Sequence, residues 1–241
     1  MAFGLGRPPY VYQENGKWKG IEVEVVGEVL RRMGYQLKAD NMSALRLEAE
    51  ARHGNSYDVV VGVAQGPEGA AFYSEPYISF ENYVVALKKK NLRLKEVKDL
   101  SSLKVGTWLN AWRDLGSVFK TTFGPKANGS FLSNYKEYAK QEDQCAAFWQ
   151  EKVDALVVDK NVFGWFRMTL ASKMDTSKDI EVFRLFPTEM PSYVAFRKKE
   201  LRDIFNAELT KLKDSGEYNR IVRSYAGENL AGFQLFKQSV R

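Results

Sequence analysis

The 241-residue sequence has one cysteine, one histidine and no long apolar run. Cys145 alone cannot form an intrachain disulfide, and one cysteine excludes a cysteine-rich metal site. His53 ends a predicted helix, where interaction with the helix dipole is the ordinary role of a histidine. No stretch approaches the ~20 apolar residues that span a bilayer. No charged segment followed by an apolar one precedes the first predicted strand, so we expect that an export signal is absent from this sequence.

The charge is not concentrated in one region of the sequence. The net charge is +6, but the 36 basic residues are spread among 30 acidic ones. The one basic run, 88–90, is typical of a solvated strand end. A nucleic-acid-binding surface needs a basic stripe, so no nucleic-acid partner is predicted.

Recognisable catalytic motifs are also missing. The sequence has no histidine and cysteine spacing for a metal, no nucleophile elbow and no phosphate-binding Gly-Lys-Ser. Carboxylates are the only candidate catalytic groups, and catalysis needs a positioned acid or base. We therefore predict a binding protein without cofactor or metal, rather than an enzyme.

Hydrophobic residues make up 44% of the sequence, enough for a substantial core. Helical spacing of apolar residues predicts helices over 25–33, 43–52, 112–119, 143–150 and 201–216, and apolar runs predict strands at 35–37, 58–63, 83–87, 104–108, 155–158 and 193–196. Alternating strands and helices predict an α/β fold with mostly parallel sheets. Both chain ends resemble parts of one lobe, which suggests a split domain with the second lobe inserted between them.

Several stretches together carry a family resemblance. They are Pro8–Tyr10 with Asn15–Glu24, Tyr57–Gly62, Tyr73–Tyr77, Asp99-Leu100 before Lys104–Gly106, Val153–Asp159, and Ala195–Lys198 with Leu212–Tyr225. In this order the chain resembles the polar amino-acid-binding family of bacterial extracellular solute-binding proteins, the receptors of ABC importers. Each piece alone has little specificity, but the ordered set spans nearly the whole chain.

The resemblance implies a two-lobe periplasmic-binding-protein-like fold of type II, with a ligand cleft between the lobes. Lobe 1 is then 1–86 plus 193–241, lobe 2 is 87–192, and the hinge lies near Ala86 and Ser192. Closure of such a hinge stabilises the bound state through contacts from both lobes. The expected protein is a periplasmic monomer that delivers a small polar or amino-acid-like solute to a membrane permease.

In lobe 1 the sequence departs from the family pattern. Typical relatives have an arginine after the buried strand that holds the ligand carboxylate in a bidentate pair, and Gly69 stands at that place here. Arg7 or Arg113 could supply the missing cation, or the ligand is not a standard α-amino acid. Arg7 could equally be a surface arginine. Further candidates are Tyr10 after the prolines and the backbone of Ala64 and Gln65 at the carboxyl end of the buried strand.

In lobe 2, Asp159 matches the family carboxylate that accepts hydrogen bonds from a ligand ammonium group. Asp159 could instead be the N-cap of the helix that follows it, and Asn110 could likewise be the N-cap of its own helix. The amides of Asn110 and Ala111 open a helix at the place where the family holds a ligand carboxylate. Trp112 could line the cleft or belong to the core, and Arg113 could bind ligand or be a solvated first-turn residue.

Two other functions remain open on the same fold. Some proteins with this fold are periplasmic dehydratases, and others are sensor modules of signalling proteins. A membrane-spanning flank in the full gene would favour a sensor. A signal peptide beside permease genes would favour transport.

Overall fold

The computed structural model describes residues 1–4, 6–67, 69, 71–186 and 189–226. Contacts divide these residues into two compact units: unit 1 contains Met1–Phe80 and the segment from Met190 onward, and unit 2 contains Glu81–Glu189. The lobe boundaries predicted from the sequence fall a few residues later. Within the described part of the chain, no helix is both long enough and apolar enough to cross a membrane.

The strands and helices follow one another in alternation. In chain order they are β1 (Ala2–Gly4), β2 (Tyr12–Glu14), β3 (Lys17–Lys19), α1 (Ile21–Arg32), β4 (Asp40–Met42), α2 (Ala44–His53), β5 (Val59–Val63), β6 (Phe72–Tyr73), β7 (Ile78–Phe80), β8 (Asn82–Leu87), β9 (Val105–Trp108), α3 (Ala111–Asp114), α4 (Gly116–Phe123), β10 (Tyr135–Tyr138), α5 (Gln141–Trp149), β11 (Ala155–Asp159), α6 (Lys160–Thr169), β12 (Ile180–Phe183), β13 (Met190–Phe196), α7 (Lys199–Asp214) and α8 (Glu217–Ala226). Short 3-10 turns cover Lys88–Lys90 and Val97–Ser102.

The sheet of unit 1 has the order β4-β1-β5-β13-β6, and β7 also pairs with β13. The strands β4, β1 and β5 are parallel, as crossover through α1 and α2 requires. Strand β13 enters from beyond unit 2 and runs antiparallel to β5, β6 and β7. The unit 1 sheet is therefore mixed, and one of its inner strands comes from the distant end of the sequence.

The sheet of unit 2 has the order β10-β9-β11-β8-β12. Its parallel part is β10, β9 and β11, whereas β8 and β12 run antiparallel to their neighbours. Strand β8 contains Ala86, where the sequence predicted the end of lobe 1, yet β8 pairs wholly within this sheet, so the contact boundary lies before it. The aromatic rings of Phe119, Phe123 and Tyr135 pack on one face of the sheet, with centroids 4.7 to 6.1 Å apart.

Two predicted elements differ from the structure. The strand predicted at 35–37 is wrong, because the pairing with β1 is made by Asp40–Met42 and Tyr35 is 51% exposed. The single helix predicted over 112–119 is two helices, α3 and α4. They are separated at Gly116, whose φ of +89° leaves the right-handed helical region.

Helix α1 buries the apolar face that the sequence predicts, including Val25, Val26 and Val29, and it contacts α7 and α8. Its outer side carries a charge network with α8. Glu28 accepts hydrogen bonds from Arg31 and Arg32, and Arg32 also pairs with Glu217. Charge pairs thus connect the first helix of the chain to its last described helix.

This network predicts a stability change in acid. The hydrogen bonds from Arg31, and then those from Arg32, lower the pKa of Glu28 from 4.5 to about 2. A carboxyl group whose folded pKa is depressed stabilises the protein above its unfolded pKa and loses that contribution as the pH falls through the folded value. Glu28→Gln should therefore be less stable than wild type at pH 7, and the difference should shrink below pH 4.5.

Urea unfolding of both proteins at neutral and acidic pH measures this difference. Glu48→Gln on α2 is the control, because Glu48 is exposed and has no ion pair among the described residues. A gap between Glu28→Gln and wild type that stays constant with pH would contradict the assignment.

Candidate ligand-binding site

The first group of candidate residues lies in the turn after β1. Val11 pairs with Arg7 through a backbone bridge, and the carbonyls of Pro9 and Tyr10 accept the amides of Ile21 and Glu22 at 3.0 Å each. The first amides of a helix have no partner within the helix, so this turn satisfies two of them. The turn and the start of α1 are therefore fixed to each other.

The guanidinium group of Arg7 pairs with a buried carboxylate. Arg7 Nη2 donates to Glu22 Oε1 at 2.8 Å, and Tyr77 Oη donates to Glu22 Oε2 at 2.7 Å. Glu22 is 1% exposed and Tyr77 is fully buried, whereas the Arg7 side chain keeps 37% exposure. Burial, and then the Glu22 charge, raise the pKa of Tyr77 well above its usual value, so its hydroxyl remains a donor.

Two aromatic rings complete this cluster. The Arg7 guanidinium carbon lies 4.1 Å from the centroid of the Phe80 ring and 5.4 Å from that of Tyr10. The Tyr10 and Phe80 rings meet edge to face at 4.8 Å. Tyr10 is fully buried, so its ring is part of the core beneath Arg7. We call Arg7, Glu22, Tyr77, Phe80 and Tyr10 the Arg7 cluster.

The other unit 1 candidates follow β5. Ala64 and Gln65 are both exposed beyond the carboxyl end of this strand. Gly69, at the place of the family arginine, has a φ of +86° and no neighbour within 4 Å of a Cβ at that position. The candidate cation of this unit is Arg7, and the Glu22 carboxylate already pairs with it.

In unit 2, β9 leads through Asn110 into α3. Asn110 stands at the N-cap position of α3, one of its two expected roles, but its φ is +63° and its side chain makes no capping hydrogen bond. Instead its carbonyl accepts the amide of Arg113 at 2.9 Å. Ala111 is fully buried, so it anchors this corner rather than offering a side chain.

Trp112 and Arg113 lie on the first turn of α3. The Arg113 guanidinium carbon is 4.9 Å from the Trp112 ring centroid, and the arginine is exposed. Trp112 packs against the unit 2 core, and its buried indole Nε1 finds no hydrogen-bond partner within the described residues. Trp112 thus has a core contact and an exposed cation on its ring.

Asp159 ends β11 and caps α6. Its Oδ1 accepts the amides of Asn161 at 2.9 Å and Val162 at 3.2 Å, and its Oδ2 accepts the amide of Glu81 at 3.0 Å. The side chain is 5% exposed. The N-cap alternative is therefore realised, and the same carboxylate also holds the first residue of unit 2.

Sequence reasoning missed Glu22, although the sequence carries a signal for it. Glu22 precedes Val25, Val26 and Val29 at helical spacing and so belongs to the buried face of α1. A buried carboxylate needs a partner, which should have directed attention to a nearby cation. Gly62 in β5 gives a second signal: a Cβ there would lie 3.0 Å from Glu22 Oε2. An isolated glycine in a strand marks such a close approach.

The described residues contain no group of three or more histidine, cysteine or acidic side chains that could hold a metal ion. The arrangement offers instead guanidinium groups, aromatic faces and buried carboxylates. These groups recognise small charged molecules by hydrogen bonds and stacking.

The chain matches a known protein family over nearly its whole length. Residues 1–228 match the model of bacterial extracellular solute-binding proteins, family 3, and the chain belongs to that family. The family consists of solute-binding proteins, as the resemblance in the sequence implies.

The individual relatives below are less than 25% identical to this chain. The arginine-binding extracellular protein ArtP of Bacillus subtilis is 23% identical over 232 residues, covering 93% of this chain and 84% of that protein. Among solved structures, an ancestral arginine-binding protein bound to glutamine has a TM-score of 0.68 at 21% identity, with 95% and 98% of the two chains covered. The GluR0 ligand binding core with L-glutamate has a TM-score of 0.71 at 16% identity, covering 94% and 97%. The two-lobe, type II periplasmic-binding-protein fold is thereby confirmed.

Proposed function

We propose that this protein captures an amino acid or an amino-acid-like solute outside the cytoplasm and delivers it to the permease of an ABC importer. The observation that carries the proposal is the family match over 228 residues. The amino-acid-binding names of the relatives support the choice of solute. In this proposal the protein acts by binding its solute, and no chemical step is involved.

Arg113 is the proposed partner for the ligand carboxylate. Arg7 is committed to Glu22 at 2.8 Å, so much of its charge is already compensated. Arg113 is exposed and has no ion pair among the described residues, and its contact is the Trp112 ring. A guanidinium group on an aromatic face keeps its hydrogen-bond donors at the edge, where a carboxylate can accept two of them.

Asp159 is the proposed partner for a ligand ammonium group. Its two oxygens accept three backbone amides, and these bonds place the carboxylate at the carboxyl end of β11. The bonds hold the carboxylate in one orientation, and a carboxylate in a fixed orientation is suited to recognise an ammonium group. The role as a cap and the role as a ligand group are thus compatible.

A binding screen tests the proposal. The purified protein is mixed with amino acids, dicarboxylates, polyamines and aromatic acids, and the melting temperature is followed. A ligand that binds only the folded state should raise it by several degrees, about 3 °C at ten times its Kd. Calorimetry on the best ligand should then show a loss of affinity of about tenfold or more in Arg113→Ala and in Asp159→Asn.

Matched variants separate binding from folding. Arg93→Ala removes another exposed arginine of unit 2, and Asp154→Asn changes the carboxylate at the opposite end of β11, which pairs with Lys90. Both should bind with wild-type affinity. Absence of any thermal shift across the whole panel would refute the amino-acid assignment, and unchanged affinity in Asp159→Asn would remove Asp159 from the site.

A further inference from the structure

The Arg7 cluster has the components of a cation-binding site. The Arg7 guanidinium group is surrounded by the Glu22 carboxylate, which is 1% exposed, and by the face of the Phe80 ring. The Tyr77 hydroxyl donates to the same carboxylate. Planar guanidinium groups are recognised in this way, by a charged acceptor at the edge and an aromatic face. All of these groups belong to unit 1.

The carboxylate in this cluster depends on its cation. Without Arg7, Glu22 would keep only the Tyr77 hydroxyl at 2.7 Å as a side-chain partner among the contacts described above. A buried carboxylate without a counter-charge is strongly disfavoured. A cation beside Glu22 therefore stabilises the folded protein, whether that cation is a side chain of the protein or a free molecule.

The place that Arg7 fills is open to solvent. The Arg7 side chain retains 37% exposure while its partner is buried. A shorter side chain at position 7 would leave a path from solvent to Glu22 beside the Phe80 ring. A small cation of the same shape could then enter along the volume that the arginine side chain had occupied.

We infer that Glu22, Tyr77 and Phe80 form a guanidinium-binding site that Arg7 occupies in the native protein. Arg7 acts as an internal ligand of this site, and a free guanidinium compound can take its place when the side chain is removed. The inference concerns unit 1 alone and stands whatever solute the protein carries.

A consequence for selectivity does rest on the proposed function. If the solute contacts this part of unit 1, it meets the edge of the Arg7 guanidinium group. The Glu22 carboxylate and the face of the Phe80 ring are already occupied by Arg7. A solute whose cationic end requires those two groups then finds both of them engaged. Arg7 would thus exclude a class of ligands by occupying their contacts, a form of specificity by blocking.

Chemical rescue of Arg7→Ala tests the inference without any solute. The melting temperature of this variant is measured in millimolar methylguanidinium chloride and in sodium chloride of equal ionic strength. We expect methylguanidinium to raise it by about 3 °C near saturation, and to leave wild type unchanged. If the variant is unfolded in sodium chloride, recovery of the helical circular dichroism signal with methylguanidinium replaces the melting temperature as the readout.

Two controls make the result specific. Arg7→Ala/Glu22→Gln removes the buried charge and should show no rescue, although it should fold better than the single variant. Arg31→Ala removes a 71% exposed arginine that pairs with Glu28, and it should also show none. Equal shifts in Arg7→Ala and Arg31→Ala, or no shift in Arg7→Ala, would overturn the inference. Its failure is distinct from a failure of the solute screen, because no solute is present.

Discussion

Replacing Glu22 by alanine is expected to lower the free energy of unfolding by about 2 to 3 kcal/mol. Glu22 is 1% exposed and holds the Arg7 guanidinium and the Tyr77 hydroxyl at the same time. Its removal leaves a buried tyrosine hydroxyl without this acceptor and a partly buried guanidinium without its counter-charge. Arg7 can reach solvent, which moderates the loss. Thermal or urea unfolding of the variant measures the effect.

Glu24→Ala is the matched control for this prediction. It lies on the same helix two residues later, but it is exposed and its side-chain contact is the hydroxyl of Tyr225. The expected loss is below about 1 kcal/mol. Glu22→Gln should fall between the two, because the amide can still accept from Tyr77 but no longer balances the charge of Arg7. Equal losses in Glu22→Ala and Glu24→Ala would show that the Arg7 cluster contributes nothing to stability.

Gly20→Ala should have an effect at least as large, about 3 kcal/mol or more. Gly20 has a φ of +122°, and an added Cβ would overlap the Tyr10 carbonyl, at 2.5 Å from its carbon, and lie 2.8 Å from the Pro9 carbonyl oxygen. These atoms are backbone and cannot rotate away. Relief of the clash would break the hydrogen bonds from Ile21 and Glu22 to the same two carbonyls. The start of α1 and the Arg7 cluster should then be lost together.

Gly16→Ala provides the comparison. It lies in the neighbouring turn between β2 and β3 with a φ of +73°, but nothing lies within 4 Å of a Cβ there. Its cost should be the conformational cost alone, about 1 kcal/mol. Unfolding curves of both variants measure their stabilities. Similar stabilities would mean that the close approach of Gly20 to the Pro9–Tyr10 turn does not constrain the fold.

Much of the fold could be predicted from the sequence because its strands are apolar runs and its main helices have an apolar face. The runs at 58–63 and 155–158 became β5 and β11, inner strands of the two sheets. The strand predicted at 35–37 failed because sheet position depends on pairing with β1, which no local pattern reports. The break at Gly116 was missed since one glycine in an apolar stretch is compatible with a continuous helix.

The candidate site was harder to predict, because its main interactions join residues far apart in sequence. Arg7 was identified, but its partners Glu22 and Phe80 were not, and the alternative between ligand contact and surface arginine could not be resolved without them. Asp159 was identified with both of its possible roles. The three backbone amides that bind its carboxylate are visible only in the folded structure, because they belong to two separate segments of the chain.

The position of β13 in the unit 1 sheet has a consequence for biosynthesis. This strand pairs with β5, β6 and β7, yet the ribosome makes it only after all of unit 2. A nascent chain that ends before Met190 has every strand of the unit 2 sheet but an incomplete unit 1 sheet, in which β5 lacks β13, one of its two neighbours. The unit 2 sheet can therefore be completed before the unit 1 sheet. Until β13 is made, β5 has an unpaired edge that chaperones or the export machinery could recognise.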